Sequence, residues 1–183
     1  MISYYSRENF PYLFASLSIA YFVITMNTMI AYYSHSGHTE KVVKDLASKT
    51  GARLERIEPA HEPQKPGKAL SSLLTVQADI KECKTDLSDV DFLIVATPVW
   101  ADGPSPYVEK YLSMVTNCRG KPFSAVIETK VGGGERTLSR IRKALEKKGM
   151  KYVSSAFTFE KDVEAGRYDA VIDRFAATIK KVV

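Results

Sequence analysis

Six consecutive residues of this sequence have the side chains and the setting of a phosphate-binding turn. They follow an apolar run at residues 29–33 and precede a segment whose apolar residues have helical spacing. In such a turn hydroxyl groups donate hydrogen bonds to an anion, a glycine lets the backbone approach it, and the N–H groups of the first helical turn face it. The six residues are Ser34, His35, Ser36, Gly37, His38 and Thr39. We predict that they hold a phosphate; the alternative is a polar turn with an ordinary helix cap.

The spacing within this turn excludes two other phosphate motifs. A Walker loop needs a lysine after its last glycine, whereas His38 follows Gly37 here. The three-glycine fingerprint of dinucleotide-binding turns is absent as well. What remains is a pattern of hydroxyl residues around one glycine, Ser34-x-Ser36-Gly37-x-Thr39.

A second unusual segment, residues 97–106, follows the most apolar run of the chain. Trp100 offers a flat apolar surface to an aromatic ligand, by stacking or by edge contact. Prolines at positions 98, 104 and 106 stiffen the segment, which lowers the entropy cost of binding. The backbone groups that such a ligand could use belong to Thr97, Pro98, Val99, Trp100 and Ala101. The alternative for Trp100 is a loop side chain that packs on the following helix.

A third segment, residues 128–134, ends in three consecutive glycines. Without side chains, glycines let the backbone come close to the edge of a ligand ring. The candidate binding residues of this segment are Glu128, Thr129, Gly132, Gly133 and Gly134. The alternative is a flexible turn that ends in a helix cap.

The elements around these segments alternate between strand and helix patterns. Strands are predicted at residues 29–34, 53–58, 91–97, 122–129 and 152–159. Helices are predicted at residues 39–50, 107–116, 135–148 and 167–180, with a further short helix at 68–76 inside a long polar connection. This alternation indicates a parallel sheet that is covered by helices on both faces.

The predicted fold class is α/β, a doubly wound sandwich with a five-stranded parallel sheet in the order 2-1-3-4-5. Right-handed crossovers between successive strands produce this order. The strand order reverses between the first and the third strand. The turn at residues 34–39 and the segment at residues 97–106 therefore lie side by side at the carboxyl edge of the sheet.

The three segments, in this order along the chain, resemble the three flavin loops of flavodoxin-like FMN proteins. The resemblance covers residues 29–183: the hydroxyl-rich turn is similar to the FMN-phosphate loop, Thr97-Pro-Val-Trp100 to the segment along the isoalloxazine ring, and residues 128–134 to the third loop. In the flavodoxin fold FMN binds at the point where the strand order reverses, and the resemblance places it there. It implies FMN as cofactor and a redox function in which the flavin carries the chemistry, so that no catalytic side chain is singled out.

The charge of the chain departs from the flavodoxin pattern. Flavodoxins that shuttle single electrons are usually acidic, whereas this chain has a net charge of +5 and only Asp102 and Glu128 as acids in the predicted flavin loops. With few carboxylates near the flavin, its anionic reduced form is repelled less than in an acidic flavodoxin. This favours a reductase of a small acceptor such as a quinone, or a carrier that exchanges electrons with acidic partner proteins. The alternative is a non-redox nucleotide- or phosphate-binding module of the same fold. The sequence leaves oligomer formation open.

Composition excludes several other kinds of partner. The lysines are dispersed in the pattern of solvated helix faces, so we expect no nucleic acid. Cys83 and Cys118 have no disulfide or metal-site spacing, which fits a reducing, cytoplasmic setting. No further ligand stands near His35 and His38 in the sequence, so we expect no metal ion.

The first residues of the chain do not fit the domain pattern. Residues 10–24 form an apolar run of 15 residues, which is shorter than the ~20 that span a bilayer, and its flanks are poor for a signal peptide. Three interpretations remain: a marginal membrane anchor, a helix packed on the domain or a partner, or translated sequence upstream of a start at Met26 or Met29. We favour the last. We expect residues 1–28 to be an N-terminal extension without membrane contact and residues 29–183 to be the domain.

Two other protein classes with related folds do not match. A response-regulator receiver needs acids at the end of the first strand and an aspartate after the third, where Thr97 and Pro98 stand instead. A low-molecular-weight phosphatase needs a cysteine and an arginine separated by five residues in its phosphate turn, and neither Cys83 nor Cys118 opens such a turn.

Overall fold

Three strands that are buried along almost their whole length form the centre of the sheet. They are β1 (Thr28–Tyr32), β3 (Phe92–Trp100) and β5 (Pro122–Thr129). Near-continuous apolar sequence is what a strand covered on both faces requires. The computed structural model, which describes residues 26–61 and 78–182, places β2 (Arg53–Arg56) and β6 (Lys151–Phe159) at the two edges. Most residues of both edge strands are partly or fully exposed.

The sheet is parallel, with the strand order β2-β1-β3-β5-β6. This order is the predicted doubly wound arrangement, because the additional strand β4 (Gly103–Pro104) pairs only with the end of β3. The fold class expected from the sequence is therefore confirmed. The remaining elements are the helices α1 (His38–Thr50), α2 (Pro106–Met114), α3 (Gly134–Lys147), α4 (Glu160–Glu164) and α5 (Asp169–Lys180).

Side-chain alternation along the strands divides the interior into two cores. Met29 and Ala31 of β1 face the core shared with α2 and α3, whereas Ile30 and Tyr32 face the core shared with α1 and α5. The period of two along each strand produces this division. Both faces of β1, β3 and β5 are thus covered, and only the ends of these strands are free to carry a site.

Several element boundaries differ from the sequence prediction. β3 continues through Pro98, Val99 and Trp100, which were expected in a loop, because β4 pairs antiparallel with its end. The helix α4 was not predicted; its five residues directly follow β6. The helix expected to begin at Arg167 begins at Asp169.

Two sequence expectations concern residues that the structure does not describe. The short helix expected at residues 68–76 and the apolar run at residues 10–24 both lie outside the described residues. Within the described residues, no helix combines the length and the apolar character needed to cross a membrane.

Asn27, just before β1, ties the start of the domain to the loop before β3. Its backbone N–H donates to Asp91 Oδ2 at 2.8 Å, and its carbonyl accepts from the N–H of Asp91 at 2.9 Å. Its side-chain amide donates to the carbonyl of Asp89. A domain that begins at Met29 would lose all three bonds, whereas one that begins at Met26 would keep them.

We predict that a chain shortened to begin at Met26 unfolds at the temperature of the full chain, and that one beginning at Met29 is less stable by about 1–3 kcal/mol. The loss reflects two or three hydrogen bonds of about 1 kcal/mol each. Urea unfolding of the three chains followed by circular dichroism measures the difference. Asn27→Ala in the full chain should reproduce only the part that comes from the side-chain bond to Asp89, because both bonds to Asp91 use the backbone of residue 27. Equal stability of the Met26 and Met29 chains would contradict the assigned role of Asn27.

Candidate functional site

The three segments singled out in the sequence meet at the carboxyl edge of the sheet. They follow β1, β3 and β5, which are neighbours in the sheet. Because all three strands run parallel, their carboxyl ends open at the same edge. We call the segments loop 1 (residues 33–37), loop 2 (residues 98–105) and loop 3 (residues 130–133).

Loop 1 ends in a helix start without a side-chain cap. Gly37 is the N-cap of α1, with φ 91° in the left-handed region, and no side-chain hydrogen bond covers the first turn. The hydroxyl of Ser34 accepts a hydrogen bond from the N–H of Gly37 at 3.1 Å, which closes the turn. The first N–H groups of an α-helix have no partners within the helix. The N-terminus of α1 therefore presents N–H donors and the positive end of the helix dipole to an anion.

The side chains of loop 1 differ in exposure. Ser34 and Thr39 are buried, whereas His35, Ser36 and Gly37 are exposed. Ser36 Oγ lies 3.0 Å from Nδ1 of His38, the first residue of α1. The predicted turn is therefore folded by Ser34 and leaves the hydroxyl of Ser36 at the surface.

Loop 2 is a tight hairpin rather than an open loop. Ala101 and Asp102 both have positive φ, 47° and 60°, and they join Trp100 of β3 to Gly103 of β4. A two-residue hairpin of this kind needs positive φ at both central residues. The hairpin holds the backbone of residues 99–101 at the carboxyl edge of the sheet.

Thr97 fixes the base of loop 2. It is fully buried, and its Oγ1 accepts a hydrogen bond from the N–H of Ser105 at 3.1 Å. Ser105 is in turn the N-cap of α2 and accepts from the N–H of Val108. The side chain of Thr97 is therefore occupied in positioning the hairpin and the start of α2.

Trp100 joins loop 2 to loop 1 through aromatic contacts. Its ring lies edge-on to Tyr33 at 5.8 Å and to His35 at 5.6 Å between centroids, and 6.3 Å from Tyr107 of α2. The ring packs on the following helix, as the alternative for this residue expected, yet stays partly exposed. Burial raises the pKa of Tyr33 to about 12, so its phenol stays protonated at physiological pH.

Loop 3 has the second glycine cap. Thr129 Oγ1 exchanges hydrogen bonds with the backbone N–H and carbonyl of Gly132, at 3.0 and 2.5 Å. Gly133 caps α3 with φ 81° and no side-chain cap. A methyl group at Gly133 would come within 2.6 Å of Asp102 Oδ1 and 2.9 Å of Val99 Cγ1. Loops 2 and 3 therefore touch at this glycine, and a larger residue would require Asp102 or Val99 to shift.

Two cavities flank the three loops. One of about 720 Å³ lies beside loop 3 and is lined by its glycines together with Phe157 and Phe159. The other, of about 360 Å³, lies between Tyr33, Ser34 and the residues after β2. Sites for small ligands usually enclose about 300–1,000 Å³, so the edge offers room for a ligand on both sides of the contact between loops.

Glu128, at the end of β5, is a buried carboxylate under this edge. It is 6% exposed. Burial raises its pKa, and His38 and Lys130 oppose that rise while Glu160 adds to it. Glu128 thus lies within electrostatic reach of His38 at the start of α1.

The structure adds residues to the site that sequence reasoning missed. Tyr33 and Tyr107 complete the aromatic cluster around Trp100. Arg136 of α3 pairs with Asp102 at 2.6 Å and links α3 to loop 2. Glu160 and Glu164 lie beside His38. Glu160 and Glu164 are four residues apart in the sequence, which would have suggested a shared helix face. That inference requires the helix to be known, and the sequence did not indicate it.

Comparison with known proteins identifies the fold and the family of sequences. Residues 29–164 match the family described as NADPH-dependent FMN reductase. A solved flavoprotein from Lactobacillus acidophilus NCFM in complex with FMN is similar, with a TM-score of 0.61 and 17% identity, over 79% of this chain and 99% of that chain. The search of curated proteins returned no match.

Two further solved structures are similar at lower TM-scores. The flavodoxin, WrbA-like protein from Agrobacterium tumefaciens has a TM-score of 0.51 and 20% identity, over 83% of this chain and 98% of that chain. An NADH:FMN oxidoreductase in its apo form has a TM-score of 0.52 and 19% identity, over 84% of this chain and 90% of that chain. At these identities the likeness establishes the fold.

The residues at the sheet edge fit FMN. The uncapped start of α1 suits a phosphate dianion, and glycines at the contact of loops 2 and 3 leave backbone groups open to a ring edge. A partly exposed tryptophan beside them suits a flat aromatic ring. The individual contacts predicted for each loop residue remain predictions.

We predict that Ser36→Ala weakens FMN binding by about 1–3 kcal/mol and leaves riboflavin binding unchanged, because only FMN has the phosphate that this hydroxyl would meet. Titration of flavin fluorescence measures both affinities. Ser48→Ala, at the other end of α1, is the matched control and should change neither. An equal loss for both ligands would mean that Ser36 does not contact the phosphate.

Trp100, the single tryptophan of the chain, provides a second test. We predict that bound FMN quenches its fluorescence, and that Trp100→Leu weakens FMN by about 1 kcal/mol while Trp100→Phe retains most of the affinity, because aromatic contact adds to area burial. Thermal unfolding of both variants checks the packing on Tyr33 and Tyr107. Unaltered FMN affinity in a folded Trp100→Leu variant would assign Trp100 to packing alone.

Proposed function

The chain belongs to the NADPH-dependent FMN reductase family, and we propose that it is an FMN-dependent oxidoreductase that passes electrons from a reduced nicotinamide to a small acceptor such as a quinone. FMN is its cofactor. The observation that carries the proposal is the family match across residues 29–164, which includes all three loops. When bound, FMN supplies hydride acceptance and onward electron transfer.

The proposed roles of the residues follow from where they lie. The N–H groups at the start of α1 and the hydroxyl of Ser36 hold the phosphate. The hairpin of loop 2, fixed by Thr97 and Ser105, positions backbone groups along the ring. Trp100 covers part of the ring from water. Each of these groups binds or orients the cofactor, and none needs to titrate.

The glycines of loop 3 have a different proposed role. Gly133 has no side chain and φ in the left-handed region, which keeps loops 2 and 3 in contact. With no side chains at residues 132–134, the approach of a nicotinamide or a quinone is not blocked from that side. Arg136, paired with Asp102 at the mouth, is largely exposed and available to a charged substrate.

The surface charge bears on the choice between a reductase and an electron carrier. Exposed cations recur along α3 at Arg136, Arg140, Lys143 and Lys147, which share one helix face by their spacing. Such a face would favour an acidic partner protein and would slow electron transfer as salt rises. We therefore keep an acidic redox protein as a second candidate acceptor. Both cysteines are free, which supports a reducing, cytoplasmic location.

The experiment loads the full chain with FMN and mixes it with NADPH under anaerobic conditions. We predict bleaching of the flavin absorbance by NADPH and its return on addition of a quinone, with steady NADPH oxidation when both are present. NADH in place of NADPH compares the two nicotinamides. Free FMN at the same concentration is the control, because unbound flavin reacts slowly with either.

Two other outcomes would replace this proposal. Bleaching only by a reduced acidic carrier, at a rate that falls with ionic strength, would indicate an electron carrier. If the protein binds FMN but neither a reduced nicotinamide nor a reduced carrier changes the flavin absorbance, the protein is a non-redox binding module.

A further inference from the structure

His38 lies in a cluster of three side chains that come from separate parts of the chain. Its partners are Glu160 and Glu164, the first and last residues of α4, which follows β6. One ligand-type atom of each residue lies within 4.8 Å of the other two. Among the described residues, this is the group of histidine, cysteine and carboxylate side chains with the geometry to hold a metal ion.

A neighbouring hydroxyl orients the imidazole of His38 through one of its two ring nitrogens. Its Nδ1 lies 3.0 Å from Ser36 Oγ, and its Nε2 lies 3.6 Å from Glu164 Oε1. A histidine that binds a metal through one nitrogen usually donates the other N–H to an oxygen nearby, which fixes the ring and its tautomer. Ser36 provides that oxygen, and Nε2 is left to face the carboxylates.

The helix α4 holds both glutamates toward α1. Glu160 and Glu164 are four residues apart, which places them on one helical face. Val163 between them is fully buried, and its carbonyl accepts a hydrogen bond from Lys41 Nζ of α1 at 3.1 Å. The separation of α4 from the start of α1 is thus set by the core and by a direct bond.

A further carboxylate lies buried beneath this cluster. Glu128 is 6% exposed. Its cross-strand neighbour in β6 is Thr158, which is 2% exposed and has a hydroxyl without a hydrogen-bond partner. Buried polar groups without partners are rare and call for an explanation such as a bound water or ion.

The nearby cations do not neutralise these carboxylates. Lys41 is bonded to a backbone carbonyl. Lys130 lies 3.7 Å from Glu160, but its side chain is 77% exposed, so water screens the pair. Two carboxylates therefore face one imidazole beside a turn that would hold an anion.

We propose that His38, Glu160 and Glu164 bind one divalent cation of the zinc type. One imidazole nitrogen and two carboxylate oxygens form a three-ligand set that leaves a coordination position open. Ligand atoms around tetrahedral zinc are separated by about 3.4 Å, given bonds of about 2.0–2.2 Å. The 3.6 Å from Nε2 of His38 to Glu164 is already close to that value. The ligand atoms of all three residues lie within 4.8 Å of one another, so binding would require the Glu160 carboxylate to close the remaining distance.

This inference revises the expectation of no metal ion that the sequence supported. It does not depend on the proposed reductase activity, because the three ligands bind the ion whether or not FMN is present. A bound cation would offset the charge of Glu128 as well.

The test titrates the full chain, free of an affinity tag, with Co²⁺ and then with Zn²⁺. We expect one Co²⁺ per chain, visible as d–d absorbance without a thiolate-to-metal band, and its displacement by Zn²⁺, which histidine and carboxylate sites bind more tightly than Co²⁺. His38→Gln and Glu164→Gln should each weaken the binding at least about tenfold, as loss of a ligand costs no less than loss of an outer-shell partner.

Two matched variants act as controls. His61→Gln removes an exposed histidine, and Glu146→Gln an exposed carboxylate of α3, and neither should change the affinity. Three outcomes would each overturn the proposal. They are metal binding that survives both His38→Gln and Glu164→Gln, a thiolate-to-metal band from Cys83 or Cys118, and binding by the unsubstituted chain that is no tighter than that of the variants. Because Glu164 is exposed, its variant tests the site even if His38→Gln unfolds the protein.

Discussion

Parallel pairing of β1, β3 and β5 is the constraint on which the rest of this protein depends. These strands are buried on both faces, so their sequences must be largely apolar. Polar residues that could bind a ligand therefore lie at or beyond the strand ends. Since all three run in one direction, the loops that follow them open at one edge. The register between the strands then sets the distance between loop 1, loop 2 and loop 3.

The contacts between the loops tie the site to the core. The aromatic cluster of Tyr33, Trp100 and Tyr107 joins loop 1, loop 2 and the start of α2. Gly133 allows loop 3 to touch the hairpin of loop 2. A ligand at this edge therefore meets groups whose positions are already fixed, which lowers the ordering cost of binding. The electrostatic setting is less uniform, because the start of α1, which we predict to bind an anion, lies beside the carboxylates of Glu160 and Glu164.

The sequence supported the main features of the fold and of the cofactor. Continuous apolar runs identified the central strands, and the prediction for β5 agrees with its observed bounds, Pro122–Thr129. The doubly wound order and the FMN family are confirmed. The predicted end of β3 was wrong, because Pro98 was taken as the start of a loop. Proline lacks an N–H, but at a strand end that pairs through its other groups it is tolerated.

What the sequence determined by itself is local: where apolar runs are long enough to be buried, and where small and hydroxylated residues interrupt them. Only the tertiary structure decided which side chains share a site across the chain. The helix α4 is a single short turn that no periodicity indicates, yet it brings Glu160 and Glu164 to His38, more than a hundred residues earlier. Such contacts depend on strand register and helix packing, which are set by the whole core rather than by any one segment.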